Sequence, residues 1–280
     1  MKNRYIPMIG VSATALAGAL LVGCQSAPPL PSTSPEVVGE FRAGSGYLRG
    51  YLDRKALPNS LALLPKPPAE GSAEQAADLA VYTATRGLRG TPRWEQATQD
   101  ANLKFPKAAS TYACTMDLPI SQEQTPHLNM LLRRTLLDAG LSTYAAKDSH
   151  NRKRPFVVKG DASCTPAEEA TLTKDGSYPS GHAALGWAWA LVLSEVAPER
   201  ANALLARGYA FGQSRVICGV HWQSDVDAGR VMGSAAVAAL HTDPTFTAQL
   251  AAAKTEVADA RSKNLHAGGD CKAEAAALVP

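Results

Sequence analysis

The sequence predicts an all-α protein, a single helical-bundle domain with an irregular N-terminal arm. Apolar residues recur at helical spacing in several long segments, alanine is abundant, and the alternating pattern of β-strands is scarce. No internal repeat is visible. The length of 280 residues suits one large domain or two small ones, and we expect one domain over 41–280.

Six segments carry the helical pattern. The first begins at Ser72, a residue type that caps helix starts, and the second has Pro92 in its first turn. We expect one continuous helix over 125–147, and a strongly apolar helix that starts behind Ser180. The six segments are 72–87, 91–103, 125–147, 180–193, 197–215 and 221–241.

The chain before the first of these helices has a different composition. Residues 24–40 are rich in proline and serine, which predicts a flexible tether. From 41 to about 70 proline and glycine recur, and here we expect an irregular arm that wraps the core.

The N-terminus has the pattern of a secretory leader. Residues 1–23 have a basic start, an apolar core and a small-residue exit. The leader ends in Leu21-Val22-Gly23 before Cys24, which resembles the bacterial lipobox and implies cleavage before Cys24 and lipid on its thiol. We therefore expect an exported, periplasmic protein that is lipid-anchored to the outer membrane. A conventional signal peptide is the alternative, and the apolar run is short for a transmembrane anchor.

Four cysteines remain if Cys24 carries lipid. In an exported chain they predict two disulfides, and the sequence leaves all three pairings open. Free buried thiols are the alternative. None of the four has the spacing of metal ligands, so no metal site is expected. They are Cys114, Cys164, Cys218 and Cys271.

The charge pattern gives no case for a nucleic-acid partner. The formal net charge is only +3, and the chain has no long run of lysine and arginine. No segment beyond the leader approaches the length of an apolar membrane span. A membrane contact is therefore expected only through lipid at Cys24.

Three clusters of polar residues stand in order between 147 and 225. Together they supply three cations that suit phosphate, two histidines and one carboxylate. The clusters are Lys147-x6-Arg154-Pro155, then Tyr178-Pro-Ser-Gly-His182, then Ser214-Arg215-x5-His221-x3-Asp225.

The cations in these clusters are suited to a phosphoryl group. Arg154 and Arg215 offer planar forks that bind phosphate oxygens in pairs, and Lys147 is a compact point charge. Ser180 and the amide of Gly181 stand at a helix start, where unpaired N–H groups and the helix dipole favour an anion. The set predicts a site that offsets negative charge while phosphorus is attacked.

The histidines and the carboxylate would supply the reacting groups. His221 and Asp225 are four residues apart, so on one helix the carboxylate would lie one turn away and fix the tautomer of His221. The other ring nitrogen of His221 is then free to attack as nucleophile. His182 is suited to a general acid that protonates the leaving oxygen.

The three clusters resemble the phosphatidic acid phosphatase type 2 superfamily, which also contains vanadium-dependent haloperoxidases. The fuller stretch GSYPSGH and the segment TPHLNMLLRRTLLDAG are similar to bacterial class A non-specific acid phosphatases, over about 110–240. The resemblance implies a mostly helical fold and hydrolysis of phosphate monoesters, without metal or cofactor, through a phosphohistidine at His221. Asp225 would orient His221, and His182 would be the acid. The phosphoryl group would be held by Lys147, Arg154, Ser180, Gly181 and Arg215.

One position departs from that family pattern. Ala183 follows His182 where the family usually has threonine, and loss of this hydroxyl can shift affinity or substrate choice. The alternatives to an acid phosphatase are a vanadate-dependent haloperoxidase, a lipid phosphate phosphatase and a non-catalytic anion-binding lipoprotein. The expected partners are small phosphomonoester substrates, and the family suggests a homodimer.

Overall fold

The computed structural model describes residues 30–278, together with Lys2. The rest of the leader, Cys24 and the first part of the predicted tether lie outside the described residues. Within 30–278 the chain forms α-helices and short 3-10 turns, with no β-strand and one isolated bridge between Glu40 and Leu48. The predicted all-α class is confirmed.

The helices follow one another with short connections. The α-helices are α1 Pro35–Val38, α2 Ser60–Leu63, α3 Ala73–Thr85, α4 Pro92–Asp100, α5 Ala113–Met116, α6 Pro126–Leu141, α7 Tyr144–His150, α8 Pro155–Lys159, α9 Glu169–Leu172, α10 Gly181–Val196, α11 Ala201–Ile217, α12 Gln223–Leu240, α13 Pro244–Ser262 and α14 Cys271–Leu278. The 3-10 turns are Arg86–Leu88, Lys107–Tyr112, Pro166–Glu168 and Pro198–Arg200.

Polar side chains start several of these helices in the way the sequence predicts. Ser72 accepts a hydrogen bond from the Gln75 amide at the start of α3, and Ser180 accepts one from the Ala183 amide at the start of α10. Pro92 occupies the first turn of α4. These caps satisfy amide groups that have no partner inside the helix.

Helix α10 lies at the centre of the core and packs against α6, α11 and α12. Most of its residues are buried, and every buried one is apolar or glycine, as expected for a helix at the centre of a core. Trp189 is completely buried, and its indole N–H donates to the carbonyl of Leu132 in α6 at 2.9 Å. The single polar atom of this large side chain is therefore paired.

Glycines let the backbones of α10 and α12 touch directly. A Cβ atom at Gly229 would lie 2.5 Å from the Ser180 carbonyl oxygen and 2.8 Å from the Cβ of Ala183. At Gly186 a Cβ would run into the ring of Phe211 in α11. Only glycine permits this approach, so the starts of α10 and α12 are held side by side without intervening side chains.

The helix that we expected over 125–147 is two helices, and that prediction is wrong. The hydroxyls of Ser142 and Thr143 donate to backbone carbonyls three residues earlier, an alternative to helical pairing. Ser60, in the arm, donates to the Thr143 carbonyl and accepts from the Ala146 amide. The arm therefore fills the break between α6 and α7.

The N-terminal arm is irregular, as predicted, and its backbone is attached to α6. The amides of Tyr51 and Leu52 donate to the two oxygens of Asp138 at 2.7 and 3.2 Å. The end of the predicted tether also contacts the core, because Gln122 donates to the carbonyl of Thr33 just before α1. No helix within residues 30–278 is long and apolar enough to cross a membrane.

The four predicted cysteines form two disulfides, as the sequence predicts. Cys114 pairs with Cys271 and attaches α14 to α5. Cys164 pairs with Cys218 and attaches the loop after α8 to the turn after α11. The second bridge lies three residues from Arg215, so it bears directly on the site.

Candidate active site

The three sequence clusters meet in one cavity of about 1130 Å³ beside the start of α10. Each residue comes from a different element. Lys147 lies in α7, Arg154 precedes α8, His182 is in the first turn of α10, Arg215 is in the last turn of α11, and His221 lies in the turn before α12. Lys147 and His221 are 74 positions apart in the sequence. They converge because the ends of several helices meet at this cavity.

Arg215 is buried with part of its guanidinium unpaired. The side chain is only 1% exposed, and its Nε and Nη1 atoms have no hydrogen-bond partner among the described residues. Burial lowers the pKa of Arg215 to about 10, against an opposing contribution from Glu168. A buried donor without a partner costs free energy, and an oxyanion is the group that would satisfy it.

Arg154 and Lys147 are partly engaged by Asp175 and Gly176, at the start of the loop that leads into the second cluster; Asp175 was not among the predicted residues. Arg154 donates to the carboxylate of Asp175 at 2.9 Å. Lys147 donates to the carbonyl of Gly176 at 2.6 Å and lies 3.7 Å from Asp175. Burial, with repulsion from Arg154, lowers the pKa of Lys147 to about 8. Three cations thus face one carboxylate, which leaves a net positive cavity.

His221 is buried, and its two ring nitrogens have different neighbours. Nε2 lies 3.0 Å from Nη1 of Arg154, and Nδ1 lies 3.5 Å from Oδ2 of Asp225. Because a guanidinium only donates, Nε2 carries the lone pair and the proton is on Nδ1. Burial, followed by repulsion from Arg154 and Lys147, holds the pKa of His221 well below its usual range.

The local structure around Asp225 differs from the one that the spacing predicted. His221 and Asp225 do not share a helix, because α12 begins at Gln223. Asp225 is in the first turn of α12, where Oδ2 accepts from the Trp222 amide at 2.8 Å. The carboxylate still lies beside the His221 ring, 3.5 Å from Nδ1 and without a formed hydrogen bond, and a helix cap, not one helical turn, places it there.

Two residues that sequence reasoning missed complete the surroundings of Asp225. Arg152 donates to Oδ1 of Asp225 at 2.6 Å and to Asp78 of α3 at 2.8 Å. Burial raises the pKa of Asp225, and Arg152 opposes that rise. Arg152 stands two positions before Arg154, so its closeness to the first cluster was a signal that could have indicated it. Nothing in the sequence connects Asp78 to the three clusters.

His182 is fixed by a backbone carbonyl. Its Nε2 lies 3.1 Å from the carbonyl of Ala101, just after α4. Because a carbonyl only accepts, Nε2 carries a proton and Nδ1 is the nitrogen left for proton exchange. Burial and then Arg215 hold the pKa of His182 well below its usual range, while the Ala101 carbonyl opposes them.

The other predicted residues at the start of α10 occupy different positions. Gly181 lines the cavity, whereas Ser180 is completely buried, caps α10 and donates its amide to the Asp225 carbonyl at 2.9 Å. Ala183 packs with Val216 and Val226 and does not line the cavity. Ala183 therefore has no direct contact through which it could change substrate choice in the way that we expected.

Comparison with known proteins places this site in a family. The PAP2 superfamily matches residues 128–247, which include all three clusters. The chain is 49% identical over 209 residues to the non-specific acid phosphatase of Providencia stuartii, a match that covers 74% of this chain and 84% of the relative. The chain belongs to the acid phosphatases of the PAP2 superfamily.

Other acid phosphatases match over a similar span. The chain is 42% identical over 219 residues to the acid phosphatase of Zymomonas mobilis, covering 78% of this chain and 83% of that protein. It is 44% identical over 202 residues to the non-specific acid phosphatase of Salmonella typhimurium, covering 72% and 81%. The family resemblance of the three clusters is confirmed.

Proposed function

We propose that this acid phosphatase hydrolyses phosphate monoesters in two steps through a phosphohistidine at His221, without a metal ion. The observation that carries the proposal is the buried, partly unpaired guanidinium of Arg215, which shares a cavity with His221 and His182. A phosphoryl group bound there would have a nucleophile and an acid beside it.

In the first step Nε2 of His221 attacks phosphorus, and the bond between phosphorus and the ester oxygen breaks. His182 gives its proton to the departing oxygen. The phosphorylated ring of His221 becomes cationic, and the Asp225 carboxylate beside Nδ1 stabilises it. Asp225 is buried but keeps two hydrogen-bond donors, Arg152 and the Trp222 amide, which favour its ionised form.

In the second step water attacks the phosphohistidine and gives a proton to His182, which the first step left neutral. The bond between phosphorus and Nε2 breaks, inorganic phosphate forms, and His221 regains its lone pair. Arg154, Arg215 and Lys147 compensate the charge of the phosphoryl oxygens in both steps. The same three cations repel a divalent metal ion, which supports catalysis without one.

The two histidines need opposite protonation states: His182 must carry a proton that it can give, and His221 must stay neutral. The pKa of His221 is held low by burial and by Arg154, so this ring stays neutral and nucleophilic as the pH falls. The pKa of His182 is also held low by burial and by Arg215. His182 therefore carries its proton only towards acid pH, until a bound phosphate dianion raises its pKa.

Hydrolysis of 4-nitrophenyl phosphate between about pH 4 and 8 in EDTA tests this mechanism. We expect activity in the wild type, loss of activity in His221→Ala, and no change in His266→Ala, whose imidazole is exposed and does not line the cavity. Denaturation of the working enzyme in alkali should recover phosphate bound to His221. Equal activity of His221→Ala and wild type, or loss in EDTA that added metal restores, would contradict the mechanism.

We also propose that the protein is exported and anchored to the outer membrane by lipid at Cys24. Support comes from the leader pattern of 1–23 and from the Pro/Ser-rich composition of 24–32, the part of the predicted tether that would separate the domain from the membrane. Labelled fatty acid should enter the wild type and not Cys24→Ser. Release of both forms by osmotic shock would contradict the anchor. The homodimer stays a prediction, which light scattering would test.

A further inference from the structure

The cavity is much larger than a phosphoryl group needs, and the N-terminal arm forms its outer wall. The arm contributes ten of the lining residues, all between Phe41 and Asn59. The volume of about 1130 Å³ exceeds the roughly 300–1000 Å³ of sites that enclose an organic ligand. The wall therefore faces the part of the substrate that leaves, and not the phosphoryl group.

Four cations stand in or beside this outer wall, and we call them the outer cations. Only one carboxylate in the cavity lining, Asp148, accompanies them, since Asp175 is paired with the inner cations. Within residues 30–278 none of the four forms an ion pair with a carboxylate. The outer cations are Arg42, Arg54, Lys55 and Lys104.

Two of the outer cations are positioned by the arm itself. Nζ of Lys104 donates to the carbonyl of Ser45 at 2.7 Å and lies 4.0 Å from the ring centre of Tyr47. The guanidinium of Arg42 lies 5.2 Å from the ring centre of Phe41. Contacts with aromatic faces hold a cation without neutralising it, so the positive charge remains available to a ligand.

The outer and inner cations lie close enough to influence the same side chain. Burial raises the pKa of Tyr144, and Asp175 and Asp148 add to the rise. Arg42 and Arg154 act in the opposite direction, so both guanidinium groups lie near this one ring. Tyr144 lines the cavity between the arm and the inner site.

The charge balance then separates two classes of substrate. One phosphoryl group, together with Asp175, compensates the three inner cations. The four outer cations are opposed only by Asp148 among the lining residues, so the outer wall keeps a net positive charge. A positive wall attracts a second anionic group. A substrate whose leaving group is neutral gains no affinity from this charge.

We propose that the outer cations form a second anion subsite, which selects phosphate monoesters that carry a second anionic group, such as sugar bisphosphates. The inference rests on the proposed function only in assigning the first phosphate to the inner site. Each exposed cation–anion contact changes affinity by about two- to fivefold. Removal of two such contacts should therefore reduce the preference for a doubly anionic ligand by about tenfold.

Binding without turnover tests the subsite independently of the reaction. In the His221→Ala background, calorimetry would give the dissociation constants of fructose 1,6-bisphosphate and fructose 6-phosphate. We expect the bisphosphate to bind more tightly, with a preference that falls about tenfold on adding Arg54→Gln and Lys55→Gln. The preference should also fall as salt rises from about 20 to 200 mM, because exposed charges are screened.

A charge-matched control comes from two lysines away from the cavity. Lys66→Gln with Lys254→Gln removes the same total charge from exposed positions and should leave the preference at its starting value. The ratio of kcat/KM for the two sugars in the otherwise unchanged enzyme should follow the same pattern. Equal affinity for both sugars, or an equal loss in both double variants, would overturn the subsite. Absence of hydrolysis with the binding preference intact would instead overturn the proposed function alone.

Discussion

Arg152 donates a 2.6 Å hydrogen bond to Oδ1 of Asp225, the oxygen turned away from His221. The other oxygen, Oδ2, is left to face Nδ1 of His221 and the Trp222 amide. Burial raises the pKa of Asp225, and Arg152 opposes that rise. Arg152 thus favours the charged form of Asp225 and binds the oxygen that does not face His221.

Replacement of Arg152 by glutamine should lower kcat more than it raises KM. Asp225 would lose its cation and accept a proton more readily, so His221 would be less well oriented and its phosphorylated form less stabilised. We expect a loss of about tenfold to hundredfold, as for other groups that orient a reacting histidine. Steady-state kinetics on 4-nitrophenyl phosphate would measure it.

A purely structural role for Arg152 would give a different pattern. Arg152→Gln also removes the cation that pairs with Asp78, which keeps only its hydrogen bonds from Ser224, and will lower the melting temperature. Arg152→Lys should recover part of kcat, and Arg152→Gln with Asp78→Asn should recover stability without activity. Lys153→Gln, at the exposed neighbouring position, is the control. Recovery of activity in step with the melting temperature would count against an effect on Asp225.

The role of His182 predicts a dependence on the leaving group. An alkyl phosphate releases a strongly basic oxygen that needs a proton, whereas 2,4-dinitrophenyl phosphate releases an anion that is stable without one. We expect His182→Ala to lose about 10²- to 10⁴-fold with glycerol phosphate and far less with the dinitrophenyl ester. An equal loss with both substrates would show that His182 acts in some other way.

Lys147 predicts how phosphate binding changes at alkaline pH. Burial lowers its pKa to about 8 in the ligand-free enzyme, so the cation is present below this pH and is lost above it. Between about pH 8 and 10 the phosphate ligand keeps its charge, and the inhibition constant for inorganic phosphate should rise. In Lys147→Gln the inhibition constant should be high over this whole pH range and change little. The same rise in both proteins would show that another group causes it.

Asp138 predicts greater stability at acid pH. Burial raises its pKa to about 7, while the amides of Tyr51 and Leu52 oppose the rise. Since the folded protein favours the protonated acid, this contribution is complete below the usual value near 4 and is lost as the pH rises through about 7. Thermal unfolding from pH 4 to 8 should show a decline that Asp138→Asn flattens. An unchanged slope in the variant would remove Asp138 as its cause.

The two disulfides should differ in their effect on activity. In the chain-entropy description a loop of 54 residues is worth about 4 kcal/mol and one of 157 residues about 5 kcal/mol. Only Cys218 lies between Arg215 and His221 in the chain. Cys164→Ser with Cys218→Ser should therefore lower kcat by about tenfold to hundredfold through misplacement of these groups. Cys114→Ser with Cys271→Ser should mainly lower the melting temperature, and equal kcat losses in both would contradict this.

Most of what could be predicted of the fold came from interactions between residues close together in the sequence. Ser72 and Ser180 cap helices because the capping contact involves amides only three residues away. The break between α6 and α7 escaped prediction because Ser60, more than eighty positions earlier, supplies its hydrogen bonds. The spacing of His221 and Asp225 indicated proximity correctly, although a helix cap and not a helical turn produces it.

The site shows the same difference between short-range patterns, which the sequence reveals, and contacts between distant residues, which it does not. The sequence indicated the cations and both histidines, because their residue types and spacing carry chemical meaning. It did not indicate Asp78, or the carbonyl of Ala101 that holds His182, since each lies in a separate helix region with no pattern of its own. Asp175 escaped for another reason: a single acidic residue in a loop is most often solvated.

The contact between α10 and α12 through Gly229 divides the enzyme into parts with different freedom to change. Where backbone meets backbone, as at Gly229 and the Ser180 carbonyl, no side chain can be exchanged to adjust the distance. The start of α10, which carries Gly181 and His182 at the cavity, is therefore held at a fixed distance from α12. The arm over 41–59 forms the rim with ordinary side chains, and a graft of this segment from one relative onto another should transfer substrate preference while the chemistry beneath stays the same.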